Sequence, residues 1–144
     1  MGVVMSSEPL VTFTLDPRLQ RDTVLICEWP LSSVLLMNDA RYPWLVLVPR
    51  RNATREIFEL DADDQAQLGR ESLRLTQQMS GYFSAHKMNV AAIGNIVSQL
   101  HIHHVARFPN DQTWPGPVWG AGSAIPYKDA DLAQVIERLQ HLLA

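Results

Sequence analysis

Gln99-Leu100-His101-Ile102-His103-His104-Val105 brings three histidines and a glutamine together within seven residues. Apolar Leu100 and Ile102 alternate with polar neighbours, which is the period of a half-buried strand. Side chains along a strand point alternately to its two faces. The pattern therefore sends Leu100 and Ile102 into a core and gathers Gln99, His101 and His103 on the other face. Two imidazoles aimed at one spot serve either nucleophilic catalysis or metal ligation. A metal needs a third ligand, and neither His86, His104 nor His141 stands at a convincing spacing. By the same alternation His104 faces the opposite way, unless a bulge intervenes, and reads as a structural histidine.

The flanking residues narrow the choice. Asn89-Val90 and then Gly94-Asn95-Ile96-Val97-Ser98 precede the stretch, and Ala106-Arg107 follows it. Together they resemble the signature of the histidine-triad superfamily of nucleotide hydrolases and transferases. That signature is a glycine, a polar residue and a valine, then histidines alternating with apolar residues, then a basic residue. Gly94, Asn95, Val97, His101, His103, Val105 and Arg107 fit it. Gln99 stands where the first histidine is expected, and His104 stands at an apolar place. Upstream, Leu36-Met37-Asn38-Asp39 followed by Pro43-Trp44-Leu45-Val46-Leu47-Val48-Pro49-Arg50-Arg51 is similar to the family's asparagine, turn, apolar strand and Pro-basic segment. The resemblance extends from about Phe13 to Arg107.

The resemblance implies hydrolysis or transfer at the α-phosphate of a nucleoside phosphate derivative, such as a dinucleoside polyphosphate or a nucleoside phosphoramidate. The step passes through a covalent nucleotidyl-histidine; no cofactor and no metal-ligating residues are expected, and the need for Mg²⁺ is left open. By place in the motif His101 is the nucleophile. His103 donates to a phosphoryl oxygen or helps the leaving group accept a proton. Gln99 can orient His101 or a phosphate through its amide, but it exchanges no proton near neutral pH. Asn38 and Asn89 occupy places where the superfamily holds ribose or phosphate, and Asn95 can bring an amide near the phosphates. Each is also an ordinary turn asparagine. Ile96 replaces the hydroxyl residue of members that cleave amine leaving groups. Trp44 replaces a histidine of some relatives and reads as core or as a stacking surface for a base. Two other classes stay open: a nucleotide-binding protein with little turnover, and an H-x-H metal protein.

Length and charge agree with one small domain. The chain has 144 residues, 47% of them hydrophobic and 19% charged, with a formal net charge of −3. An acidic balance argues against a general nucleic-acid surface, which carries a basic excess. A small anion needs only a local positive field, which Arg50, Arg51 and Arg107 supply if they converge. Cys27 is the only cysteine, so no disulfide forms within the chain. No apolar run reaches the roughly 20 residues of a membrane span. The expectation is a cytoplasmic protein, paired as a homodimer as in similar proteins, with a nucleotide-type small molecule as its partner and neither membrane nor nucleic acid. Met1-Gly2-Val3-Val4-Met5-Ser6 satisfies the bare N-myristoylation pattern, which is short enough to occur by chance.

Local signals predict an α+β order. Asp16-Pro17 opens a short helical turn. Thr23 to Glu28 and Ser33 to Met37 form a hairpin about Trp29-Pro30, Trp44 to Val48 is a third strand, and Lys87 to Ala92 and Val97 to Val105 are the fourth and fifth. Between the third and fourth strands Asp61 caps a helix with Leu68, Leu75 and Met79 on its inner face. A second main helix spans roughly Asp129 to Leu143, with His141 on its wet flank. The antiparallel sheet of about five strands thus carries two main helices, after a flexible segment over 1–12. Residues 13–107 form the domain proper. Residues 108–144 pack on it as a loop rich in Pro, Gly and Trp and a helix. Trp114 and Trp119 in that loop are too large to leave in water, so the loop packs on the domain or a dimer mate, or walls the active site.

Overall fold

The computed structural model describes residues 12–144, so the flexible segment expected over 1–12 falls almost wholly outside the described residues, as does the N-myristoylation pattern. Three α-helices and five strands follow in the order α1 (Pro17–Asp22), β1 (Thr23–Glu28), β2 (Ser32–Met37), β3 (Trp44–Pro49), α2 (Ala62–Phe83), β4 (Lys87–Ala91), β5 (Ile102–Arg107) and α3 (Asp129–Leu143). The class is α+β, as the sequence predicts. All strand pairings are antiparallel, in the spatial order β1-β2-β3-β5-β4.

The caps are those the sequence signals. Asp16 accepts from Arg18 N with Pro17 at the first helical position. Asp61 accepts from Asp64 N at 2.8 Å and so satisfies one of the free donors at the start of α2. A single 3-10 turn at Ile57–Glu59, which the pattern did not announce, precedes it.

The sheet separates two apolar layers. On one face Val34, Leu36, Leu45, Leu47 and Ile102 pack with Leu68, Leu75 and Met79 of α2 and Leu139 and Leu143 of α3. On the other, Leu35, Trp44, Val46 and Val105 meet Leu19 of α1 and Val118 of the loop after β5. Central β3 is buried on both sides, which is why its sequence is a continuous apolar run rather than an alternating one.

The fifth strand differs from its expected bounds. It begins at Ile102 rather than Val97 and runs on to Arg107. Its ladder with β3 ends at the pair Leu47↔Ile102. Two positions on, Pro49 has no N–H to extend a ladder. Leu100 N donates instead to Thr54 O at 2.9 Å, and the chain turns back through Gly94, whose φ of +64° suits glycine. Residues 92–101 are therefore a shaped loop that delivers His101 to the sheet edge.

Candidate active site

His103 lies on β5, opposite Val46 and Ala91, on the face away from α2 and α3. His101 sits just before the strand with its ring 4.8 Å from the His103 ring, so the two imidazoles do share a site. Their ring nitrogens are set by different partners. His101 Nδ1 bonds to the main-chain oxygen of Gln99 at 2.7 Å. A carbonyl only accepts, so Nδ1 carries a proton and Nε2 is the nitrogen left for chemistry. His103 Nδ1 accepts from the indole Nε1 of Trp44 at 3.0 Å. Burial, reinforced by His101 and His104, pushes the His103 pKa down to about 3, so the ring is neutral.

His104 faces the other way, as alternation requires. Its Nε2 meets Ser72 Oγ of α2 at 2.8 Å and its Nδ1 bonds to Ile102 O at 3.0 Å. Burial brings its pKa down to about 4. It ties the helix to the sheet and takes no part in the site.

Gln99 does not join the histidines through its side chain. Its Oε1 accepts from Asp16 N at 2.8 Å and its Nε2 donates to Thr14 O at 2.9 Å. The amide therefore clamps the segment leading into α1, which corrects the expectation of an amide aimed at His101 or a phosphate. The reason is that residue 99 precedes the strand, so strand alternation does not govern its direction. What orients His101 is the backbone of Gln99.

Both histidines open into a cleft of about 620 Å³. Its apolar wall includes Leu19, Met37, Trp44, Val97, Val118 and Trp119. Trp119 stands edge-on to Trp44, with ring centroids 6.2 Å apart, and 5.4 Å from His103. The loop after β5 thus walls the site, one of the alternatives its tryptophans allow. Trp114 instead lies against His86 and under the Arg107 guanidinium. Asn38 and Asn95 line the cleft. Asn38 Oδ1 also accepts from Tyr127 N at 3.0 Å, joining the turn after β2 to the segment before α3. Asn89 is elsewhere: its Oδ1 accepts from Arg107 Nη1 at 2.8 Å.

The expected cluster of cations does not form. Arg107 is buried and bound to Asp111, Asn89 and Gly116 O. Arg51 pairs with Asp64, and Arg50 reaches the carbonyls of Trp29 and Pro30. The charged residues that line the cleft are Arg21, Asp22, Asp39 and Arg41, which the motif did not single out. They come as pairs, Arg21 with Asp22 at 2.9 Å and Arg41 with Asp39 at 2.8 Å. Sequence carried one usable signal, the Asn38-Asp39 turn. The contact of Arg41 with Ala121 O is made only in three dimensions.

No group of three or more His, Cys, Asp or Glu able to hold a metal occurs among the described residues. No helix among them is long and apolar enough to cross a membrane.

Comparison with known proteins agrees with this geometry. Residues 18–110 match the model of the HIT domain. A histidine triad protein from Marinobacter aquaeolei VT8 is 47% identical, with 92% of this chain and 97% of that one covered and a TM-score of 0.90. One from Bradyrhizobium japonicum is 40% identical over 93% of this chain and 100% of its own, with a TM-score of 0.89. One from Sinorhizobium meliloti 1021 is 45% identical over 90% and 96%, with a TM-score of 0.87. A comparison with curated proteins gives no match. With the domain model spanning most of the chain and near-complete superposition on histidine triad proteins, this chain belongs to the HIT domain family.

Proposed function

We propose that the protein is a hydrolase or transferase acting at the α-phosphorus of a nucleoside phosphate derivative, with His101 as nucleophile, His103 as donor to a phosphoryl oxygen, and Asn38 and Asn95 beside the bound nucleotide. The observation that carries this reading is the His101 Nδ1 contact with Gln99 O, which commits Nδ1 as a donor and leaves Nε2 as the attacking nitrogen of a residue that lines the cleft. An imidazole oriented in this way attacks phosphorus through Nε2. His103 beside it stabilises charge that develops on the phosphoryl oxygens.

The balance of charge supports a substrate with few negative charges. The arginines lining the cleft each pair with an aspartate, and the wall is mostly apolar. A nucleoside monophosphate derivative with one charge at phosphorus suits such a cleft better than a polyphosphate, whose charges need unpaired cations or a metal. Trp119 offers an aromatic surface for a base or an aromatic leaving group.

Intact-protein mass spectrometry after mixing with a panel of adenine and guanine nucleotide derivatives tests the reading. A transient adduct of one nucleoside monophosphate, lost in His101→Ala, is expected. Binding without adduct or turnover across the panel would favour a nucleotide-binding protein instead.

A further inference from the structure

We propose that Trp44 is a positioning residue whose indole N–H holds His103 as a neutral donor through Nε2, and that this restricts the site to leaving groups that depart as stable anions. The proposal rests on the nucleotidyl-transfer reading and extends it to the leaving group. An indole N–H can only donate, and it stands 3.0 Å from His103 Nδ1. The lone pair must therefore be on Nδ1 and the proton on Nε2, which faces the cleft beside His101. At His101 it is Nδ1 that carries a proton, given to Gln99 O. The pair thus offers one nitrogen that attacks and one N–H that donates.

To act as an acid near neutral pH, His103 would have to take a second proton on Nδ1. That position already faces the hydrogen of Trp44, which is itself buried and wedged between Tyr42 and Trp119. The low pKa of His103 agrees with this geometry. Among the described residues that line the cleft, no other group is placed to act as the acid. His104 points to the helix face, the Gln99 amide is bound to Thr14 and Asp16, and Arg21 and Arg41 lie in pairs with Asp22 and Asp39.

The step follows from these partners. His101 Nε2 forms a bond to phosphorus while the bond from phosphorus to the leaving group breaks, and the leaving group takes that electron pair. The imidazole becomes cationic and keeps its Nδ1–H on Gln99 O. Water then attacks phosphorus, the P–N bond breaks, its electron pair returns to Nε2, and the proton shed by water passes to solvent. Nothing protonates the leaving group as it departs. Carboxylates, phenolates and phosphates leave readily in that way, and alkylamines do not.

Two measurements on the wild-type protein test this without a variant. Nitrogen NMR of the labelled histidine rings assigns the proton on each nitrogen. Single-turnover rates with aryl esters of adenosine monophosphate graded in phenol acidity, and with the matching alkylamide, give the leaving-group dependence. We expect the His103 proton on Nε2, a steep fall in rate as the phenol becomes less acidic, and an alkylamide at least ~100-fold slower than the best ester, the lower end of what proton transfer contributes. Trp44→Phe, which keeps an aromatic ring but loses the N–H, should flatten the dependence. A proton found on Nδ1, or an alkylamide as fast as the best ester, would overturn the proposal. Absence of turnover across the whole series, with the Nε2 proton seen in the spectra, would instead overturn the nucleotidyl-transfer reading and leave the tautomer assignment standing.

Discussion

Arg107 and Asp111 form a bidentate pair at the end of β5, with Nε 2.8 Å from Oδ2 and Nη2 3.1 Å from Oδ1. The guanidinium is 1% exposed. The same carboxylate accepts from the backbone of Phe108, Thr113 and Trp114, and Arg107 donates to Gly116 O. One ion pair thus folds the loop that carries Trp119 to the cleft. Breaking a buried pair strands its partner's charge, which costs about 3–5 kcal/mol. Asp111→Asn should lose stability of that order in urea unfolding. It should also raise KM more than it lowers kcat, because the wall of the cleft loosens while the histidines stay in place.

His101→Ala should lower turnover by several powers of ten, as removal of a nucleophile does. His101 is buried and its Nδ1 is bound, so the substitution should also cost about 1 kcal/mol. Thermal unfolding run beside single-turnover assays separates the two effects. Turnover within a few fold of wild type would remove His101 as nucleophile.

Gln99→Leu keeps the main-chain oxygen that orients His101 and deletes the amide that clamps Thr14 and Asp16. The expected outcome is a loss of about 1–3 kcal/mol in stability with the chemical step nearly unchanged. Gln99→His retains one donor and one acceptor and should lose less. A chemical step slowed tenfold or more in a well-folded Gln99→Leu would return the amide to the catalytic apparatus.

Acid should destabilise the fold in a defined window. His103 and His104 have folded pKa values of about 3 and about 4 against the ordinary 6.5. Below pH 6.5 the unfolded chain takes up protons that the folded one refuses, so stability falls with pH. The loss approaches ~1.4 kcal/mol per pH unit for each ring and levels off near the folded values. Asp111, held near 2 by its bonds from Arg107, adds its own loss only below its ordinary 3.8. Urea unfolding from neutral pH to pH 4 measures this, and His104→Gln should have a shallower slope than wild type. Stability that stays level across that range would refute the buried neutral rings.

Trp119→Ala removes the edge-on ring beside His103 and Trp44. Stacking of a base on an aromatic ring is worth about 1–3 kcal/mol. KM for nucleotide substrates should rise about 5- to 100-fold with a smaller change in kcat. An unchanged KM would mean that the base binds elsewhere in the cleft.

Local and periodic features were determined by the sequence alone. The caps Asp16 and Asp61, the apolar stripes of α2 and α3, the buried run of β3 and the opposed directions of His103 and His104 depend on neighbours a few residues apart. Backbone geometry then dictates which face each side chain takes. Tertiary structure alone decided the partners of the polar groups. Arg107 looked like a cation for phosphate and became the pin of the Trp loop; the Gln99 amide looked catalytic and became a clamp on Thr14 and Asp16. Each of these side chains, once buried, had to satisfy its donors and acceptors with whatever the fold brought near, and those groups lie far away in the chain or in a loop of no regular period. The same holds for Trp44. Its indole meets His103 across adjacent strands, and only the register of β3 on β5 sets which nitrogen of that ring holds the proton.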